Sequence, residues 1–304
     1  MIEAKNLCKK FGNFLALDHV SCHIDKGCIY GMVGSNGAGK STFLRVLAGI
    51  YQADGGEVGI DGQPVWENPE VKSQLVFVTD ELYFLPGSSL NRMAKLYEAL
   101  YPSFDRERYQ MMLSYFRLPP NQSLDTFSKG MRRQAATILA LSARPAYLLF
   151  DETFDGLDAV MRSFIKGLIC NDVAERKVTA IITSHSLREL EDTCDQLVLL
   201  HKGGVILESD VQDLKTSLFK VQVAFDEDYD QTKFEGIDVL KFVKRGSVSN
   251  LIVRGDREEA RQRLMAQGPV LCEILPLTLE EVFTYEMQAL GYDFREILEG
   301  MGHE

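Results

Sequence analysis

The chain lacks the features of a membrane-spanning, exported or nucleic-acid-binding protein. No apolar run in its 304 residues approaches the roughly 18 needed to cross a bilayer, and the segment from Met1 to Lys5 has no basic-then-apolar leader pattern. Its 33 Lys and Arg residues are outnumbered by 44 Asp and Glu residues, which gives a formal net charge of -11. That charge opposes binding to a phosphate polyanion. We therefore expect a cytoplasmic protein with no nucleic-acid partner.

The cysteine pattern is equally restrictive. The six cysteines form no Cys-x-x-Cys pair and no quartet flanked by histidine. Paired spacings of that kind mark structural zinc sites and redox motifs. The pattern predicts reduced thiols and no structural zinc.

The most informative segment that is present is a phosphate-binding loop, with the sequence Gly-Ser-Asn-Gly-Ala-Gly-Lys-Ser-Thr from Gly34 to Thr42. It follows an apolar run typical of a strand and precedes a helical pattern. Its glycines let backbone N–H groups turn toward phosphates at the start of that helix, its lysine would reach the outer phosphates, and its serine hydroxyl would ligate magnesium. The loop predicts a nucleoside triphosphate site with Mg²⁺. The candidate binding residues are Ser35, Asn36, Gly37, Ala38, Gly39, Lys40, Ser41 and Thr42.

The patterning along the chain predicts an α/β fold with two parts. Residues 2–207 alternate β-rich and helical stretches, as in a mostly parallel sheet with crossover helices, and a helical subdomain is predicted at about 87–145. We place the first domain at 1–210. Residues 211–304 read as a small α+β appendage, whose acidic end, with Glu296, Glu299 and Glu304, is predicted to be solvated.

A second motif follows the apolar run from Tyr147 to Phe150. Asp151 fits the acid that holds magnesium, directly or through water, opposite Ser41, and Glu152 is then placed to polarise the water that attacks the terminal phosphate. Taken alone, two adjacent acids after a strand could be a solvated turn. The expectation rests on their combination with the phosphate loop.

His185 follows the next predicted strand, 180–184. A lone histidine is usually structural. This one is expected at the same sheet edge as Asp151, because the carboxyl ends of parallel strands meet there. We predict that its imidazole donates a hydrogen bond to the γ-phosphate.

A third motif is the run Phe-Ser-Lys-Gly-Met from Phe127 to Met131, which precedes an apolar helix. Ser128 stands where an ordinary N-cap is expected. With Gly130 allowing close backbone approach, the same helix N-terminus could also form a second anion site. A single chain has no use for two triphosphate sites that face opposite ways, whereas two chains packed head to tail would use both.

In their order along the chain, these motifs resemble the ATP-binding-cassette (ABC) family over residues 2–207. The resemblance implies a P-loop NTPase cassette that binds ATP and Mg²⁺ and hydrolyses ATP with Lys40, Glu152 and His185 as catalytic residues. It also implies a composite site, in which Ser128 and Gly130 of one subunit close over ATP held by the other. Phe11 is similar to the aromatic residue that stacks on adenine, although it could be an exposed Phe near a turn.

The chain departs from the family pattern at three places. Thr79-Asp80-Glu81 stands where the family commonly has a glutamine that touches magnesium, and Asp80 could still coordinate metal or water. Thr153-Phe154 and Lys129 replace the more usual Pro-Thr and Gly. Since none of these changes removes a catalytic group, we expect hydrolysis and not binding alone.

The resemblance implies an ATPase subunit of an ABC transporter, serving separately encoded transmembrane permease subunits at the inner face of the cell membrane. The second cassette could be identical or different, and the signature with its appendage looks more like bacterial exporters than importers. The alternative is a soluble regulatory ABC ATPase that acts on ribosomes or nucleic acid. A small-molecule P-loop kinase would leave Ser128 and His185 without roles. The transported substrate is not encoded in this chain.

Overall fold

The computed structural model describes residues 1–289 and 291–292, so the predicted acidic tail lies outside the described residues. The chain divides into two compact units, Met1–Glu208 and Ser209–Glu304. The sequence-based division after residue 210 lies close to this boundary.

The first unit is rich in strands, the last of which extends two residues beyond Glu208. The strands are β1 (Ile2–Phe11), β2 (Phe14–Ile24), β3 (Ile29–Val33), β4 (Gly55–Ile60), β5 (Gln63–Pro64), β6 (Leu75–Val78), β7 (Tyr147–Asp151), β8 (Thr179–Ser184), β9 (Gln196–His201) and β10 (Gly204–Asp210). The helices are α1 (Lys40–Leu47), α2 (Pro69–Lys72), α3 (Leu90–Leu100), α4 (Arg106–Phe116), α5 (Lys129–Ser142), α6 (Ala159–Arg176) and α7 (Leu187–Leu190).

A six-stranded sheet in the order β10-β9-β3-β8-β7-β6 forms the centre of this unit. Strands β9, β3, β8, β7 and β6 pair in parallel. Every residue of β3, β7 and β8 is buried, as expected for strands that helices cover on both faces. Because Val33 pairs with Ser184 and Asp151 with Thr183, the segments that follow these strands meet at one sheet edge.

A second sheet, in the order β2-β1-β4-β5, is antiparallel. The alternation of β-rich and helical stretches predicted only a mostly parallel sheet, so this antiparallel sheet was not anticipated. The signal was nevertheless present: Gly12-Asn13 joins β1 to β2 as a two-residue hairpin turn, with Phe11 paired to Phe14. Gly12 has φ +59°.

The segment predicted to be helical contains α3, α4 and α5. Each begins at a side-chain cap: Ser89, Asp105 and Ser128 accept a hydrogen bond from the N–H three residues later. Such caps satisfy one of the free N–H groups at a helix start. Among the described residues, no helix has the length and apolarity needed to cross a membrane.

The second unit is built around an antiparallel sheet in the order β12-β13-β11-β14. Its strands are β11 (Leu218–Ala224), β12 (Val239–Arg245), β13 (Val248–Arg254) and β14 (Leu271–Leu275), and its helices are α8 (Val211–Ser217), α9 (Arg257–Met265) and α10 (Leu279–Ala289). Phe219, Val221 and Leu251 lie in its apolar core with Leu264 of α9. This unit therefore combines helices with an antiparallel sheet, in the α+β arrangement predicted for the appendage. All six cysteines of the chain are free thiols.

Candidate active site

The phosphate loop connects β3 to α1 at the carboxyl edge of the central sheet. Gly39 precedes α1 with φ +106°, in the left-handed region that favours glycine. A Cβ at Gly39 would lie 2.7 Å from the carbonyl oxygen of Ala16, and one at Gly34 would lie 2.5 Å from that of Leu200. The loop therefore needs glycine at both positions, and its backbone lies where a helix N-terminus can bind an anion.

Lys40 is almost fully buried and links the loop to the neighbouring strands. Its Nζ donates hydrogen bonds to the carbonyl oxygens of Gly34 (2.7 Å) and Ser35 (3.2 Å). The same nitrogen lies 3.2 Å from Oε1 of Glu152. The ammonium group is thus held between the loop that would cradle phosphates and the predicted general base.

Asp151 is fully buried at the end of β7. Its Oδ1 accepts hydrogen bonds from the hydroxyls of Ser41 (2.9 Å) and Thr183 (2.8 Å). Its Oδ2 is buried without a hydrogen-bond partner among the described residues, and burial raises the pKa of this carboxyl. A serine hydroxyl beside a carboxylate oxygen with free lone pairs is the oxygen donor set that Mg²⁺ prefers, so the residues fit the predicted cation.

Glu152 has a constrained backbone and an oriented carboxylate. Its φ of +47° is in the left-handed region, which costs a non-glycine residue on the order of 1–3 kcal/mol. Its N–H donates to Oγ1 of Thr183 at 3.0 Å. Its carboxylate lies between Lys40 and His185, whose Nδ1 is 3.0 Å from Oε2. Strain of this kind at a pre-oriented acid is typical of functional sites.

Ser128 and Gly130 lie at the start of α5. The Ser128 hydroxyl accepts the Met131 N–H at 3.2 Å, so the ordinary N-cap reading is observed. A Cβ at Gly130 would lie 3.3 Å from the carbonyl oxygen of Gly156, and Lys129 forms a 3.0 Å ion pair with Asp155. Their role toward a nucleotide of another subunit stays a prediction.

Two residues that the sequence analysis did not single out complete the arrangement. Thr183 binds both Asp151 and the Glu152 backbone, as described above. Arg133 of α5 is 1% exposed, forms a 2.6 Å ion pair with Asp80, and donates to the carbonyl oxygen of Glu152. Asp80 is therefore engaged by an arginine, and its predicted contact with magnesium stays a prediction. An arginine at the start of an apolar helix, together with an unusual acid at 80, was the available signal.

Phe11 is 44% exposed at the end of β1. Its ring makes an edge-to-face contact with Tyr51 at 5.3 Å, and Lys9 Nζ lies 5.5 Å from its centroid. The remaining exposed ring surface is compatible with stacking on a base, which stays a prediction.

A separate group of possible metal ligands lies on the first hairpin. Ligand atoms of Cys8, Asp18 and His19 lie within 4.8 Å of one another. His19 Nδ1 is hydrogen-bonded to Asp18 at 2.6 Å, and the His19 N–H donates to Cys8 Sγ. The group therefore satisfies its own hydrogen bonds, and the expectation of no structural zinc stays untested there.

Comparisons with known proteins identify chains of similar sequence and fold. The family model described as ABC transporter matches residues 17–155. The ABC transporter ATP-binding protein YtrB of Bacillus subtilis is 31% identical over 284 residues, which cover 93% of this chain and 97% of that protein. A solved ATP-binding subunit of an ABC transporter aligns with a TM-score of 0.66 at 25% identity, over 71% of this chain and 92% of that one. A solved dimeric ATP-binding cassette in a post-hydrolysis state, bound to ADP and phosphate, aligns with a TM-score of 0.61 at 23% identity, over 69% of this chain and 99% of that one.

Proposed function

Because the chain belongs to the ATP-binding proteins of ABC transporters, we propose that it pairs with a second cassette around ATP and drives a separate transmembrane permease. It is an ATPase of that family. The observation that carries the proposal is the convergence of Lys40, Ser41, Asp151 and Glu152 at one sheet edge, with Glu152 held between Lys40 and His185.

Each residue has a separate task in hydrolysis. Glu152 orients the attacking water and accepts its proton, and Lys40 and the loop N–H groups bind the phosphates. Ser41 and Asp151 would hold Mg²⁺, with Asp80 as a further predicted ligand, and a cation bound there would neutralise charge that develops on the phosphate oxygens. In the protonated ring of His185 both nitrogens are donors, so Nδ1–H would bind Glu152 and Nε2–H would donate to the γ-phosphate.

The second half of the site comes from another cassette. Ser128 and the N-terminal N–H groups of α5 form an anion-binding helix end, and they close over ATP bound to the partner's phosphate loop. The dimeric cassette with the same fold supports this pairing. ATP then joins the two cassettes as a shared ligand, and its hydrolysis lets them separate. The partner is a second copy or a different cassette.

The permease sets the location and direction of transport. We place the chain on the inner face of the cell membrane, bound to permease subunits that supply the spanning segments. The Ser-Lys-Gly-Met signature and the C-terminal unit support export. The transported substrate is determined by the permease.

The test uses Glu152→Gln, which keeps the site but slows hydrolysis. With ATP and Mg²⁺, light scattering should show that the mass of the variant doubles, either by itself or when a sister cassette is added. ADP should not produce this doubling. Copurification with membrane proteins from a detergent extract is the expected companion result. A protein that stays monomeric with every cassette offered, or that cosediments with ribosomes, would contradict the proposal.

A further inference from the structure

Among the described residues near the active site, Arg133 is the most completely buried basic side chain. The guanidinium group belongs to a residue of α5 five positions after Ser128, and the side chain is 1% exposed. Buried arginines require partners, because an unpaired charge in the interior is strongly destabilising. Its partners come from two other segments: Asp80 follows β6, and the carbonyl of Glu152 follows β7.

The contact with Glu152 is made to the backbone and not to the carboxylate. The Glu152 peptide is held at both sides, since Thr183 accepts its N–H and Arg133 donates to its carbonyl oxygen. The Asp155 N–H also reaches this oxygen at 3.1 Å, but the arginine bond is charge-assisted and stronger. A left-handed glutamate persists only where its surroundings fix it.

Asp80 in turn fixes Arg133. Its Oδ1 lies 2.6 Å from Nη2, whereas the nearest alternative carboxylate, Asp155, is 3.7 Å away. The guanidinium therefore joins three segments that are distant in the chain: the loop after β6, the start of α5 and the loop after β7. A shift of the first two segments would be transmitted to Glu152.

We propose that Arg133 is a positioning residue, anchored by Asp80, that holds Glu152 in its productive backbone conformation. The inference rests on the proposed role of Glu152 in hydrolysis. It gives Asp80 a function at the position where the family commonly has glutamine. Through Arg133, the position of α5 would also affect the conformation of Glu152, although Arg133 itself need not contact the nucleotide.

The test is steady-state ATP hydrolysis by the full chain. Arg133→Gln should lower kcat by about 10- to 100-fold, the usual cost of removing a group that orients a functional residue, and leave the KM for ATP within about twofold. ATP-driven dimerisation in the Glu152→Gln background should be unchanged by Arg133→Gln. A folded variant with parental kcat overturns the proposal, and so does a parallel loss of kcat, ATP affinity and thermal stability.

Arg132→Gln is the matched control. Arg132 is the adjacent residue on α5 and also contacts the loop after β6, through the Leu82 carbonyl oxygen and the Phe84 ring. Within the part of the chain that the structure describes, the Glu152 carbonyl oxygen accepts a hydrogen bond from Arg133 and not from Arg132. The control removes one positive charge from the same helix, and its kcat should stay near the parental value. An equal loss in both variants would overturn the specific role of Arg133.

A double-mutant cycle tests the anchor. Asp80→Asn should lower kcat less than Arg133→Gln does, and it should add no further loss in the Arg133→Gln background, since both act through one guanidinium. If Asp80 acted only through magnesium, the losses would multiply and the Mg²⁺ requirement would rise, which would overturn the anchoring role.

Folding failure of Arg133→Gln would not end the test. Asp80→Asn changes a carboxylate that is 48% exposed, and Arg133→Lys keeps the charge; reduced kcat at unchanged KM in both supports the proposal, and parental kcat in both overturns it. The parent and Glu152→Gln are assayed alongside. Absence of Glu152-dependent turnover in the parent would count against the proposed function itself and, with it, against this inference.

Discussion

The two predicted anion-binding ends of the first unit are built in different ways. At the strand end, Lys40, Ser41, Asp151 and Glu152 are bound to one another by hydrogen bonds and ion pairs and are largely removed from solvent. At the helix end, Ser128 is exposed and its hydroxyl serves as the cap of α5.

The two ends differ in which groups remain available to bind a ligand. The strand end keeps a buried Asp151 carboxylate oxygen that has no hydrogen-bond partner among the described residues, and a glutamate in a strained conformation. Groups held at such a cost indicate function, because folding alone does not favour them. At the helix end the Ser128 hydroxyl already accepts the Met131 N–H. The groups left to bind an anion are therefore the remaining N–H groups of the first turn of α5. Under the proposed function, the strand end would supply the catalytic groups, whereas the helix end would act only on another subunit's nucleotide.

The largest expected effect comes from Glu152 at the strand end. Glu152→Gln should lower kcat by about 10²- to 10⁴-fold, because the amide cannot accept the proton of the attacking water. ATP affinity should be retained. Glu175→Gln, an exposed carboxylate on α6, is the control and should keep the parental rate. If Glu152→Gln hydrolysed ATP at the parental rate, the strand end would not supply the general base, and the proposed division of roles between the two ends would be wrong.

The next effect tests the helix end. Ser128→Ala should reduce kcat by about 10-fold or more, since a hydrogen bond to a charged phosphate is lost, and should cost about 1 kcal/mol of stability for the lost cap. Ser89→Ala removes the equivalent cap of α3 and should cost similar stability with no loss of kcat. If Ser128→Ala and Ser89→Ala had equal kcat values, Ser128 would act only as the N-cap of α5.

Mixing variants shows whether Ser128 acts in trans. Lys40→Ala and Ser128→Ala damage different ends, so a mixed dimer retains one intact composite site. A mixture of the two proteins should exceed the mean of their separate activities. A mixture that only averages them would contradict a site shared between two copies of this chain.

The sequence predicted the strand end because its signals are local. The loop from Gly34 to Thr42 is one continuous motif, and Asp151 and His185 each follow an apolar strand. It did not predict Thr183 or Arg133, whose partners lie 32 and 53 residues away. Nothing in an apolar strand marks one threonine as a ligand of an acid, and a basic residue on a helix is ordinarily solvated. Such contacts depend on packing that spacing does not encode.

A smaller effect is expected at Phe11. Phe11→Ala should raise the KM for ATP about 2- to 10-fold with little change in kcat, because aromatic stacking contributes about 0.5–1.5 kcal/mol. Inhibition by inorganic tripolyphosphate, which has no base to stack, should not change. Phe14→Ala is the control, since Phe14 is exposed and pairs with Phe11 across the same hairpin. An equal change in both variants would identify Phe11 as an ordinary exposed residue.

The smallest expected effect is on the free energy of unfolding, which should rise when Asp151 is neutralised at the strand end and fall when Ser128 is removed at the helix end. Burial raises the folded-state pKa of Asp151, so the folded protein binds more protons than the unfolded chain between the ordinary value of 3.8 and that raised pKa. Stability should therefore fall as the pH rises through that window. Asp151→Asn cannot titrate, so this fall should be smaller in the variant. Without Mg²⁺ and nucleotide, its free energy of unfolding at pH 7 should exceed the parental value by on the order of 1 kcal/mol.

Urea unfolding at a series of pH values measures this difference, with the exposed carboxylate of Asp192 changed to Asn as the control. The control should follow the parental pH dependence. If Asp151→Asn lowered stability at neutral pH, the acid would be a structural contributor and not a group held for a cation. Ser128→Ala is expected to lower the free energy of unfolding. If Asp151→Asn raises it and also abolishes hydrolysis, then Asp151 is retained for activity at a cost in folding stability, and Ser128 is not.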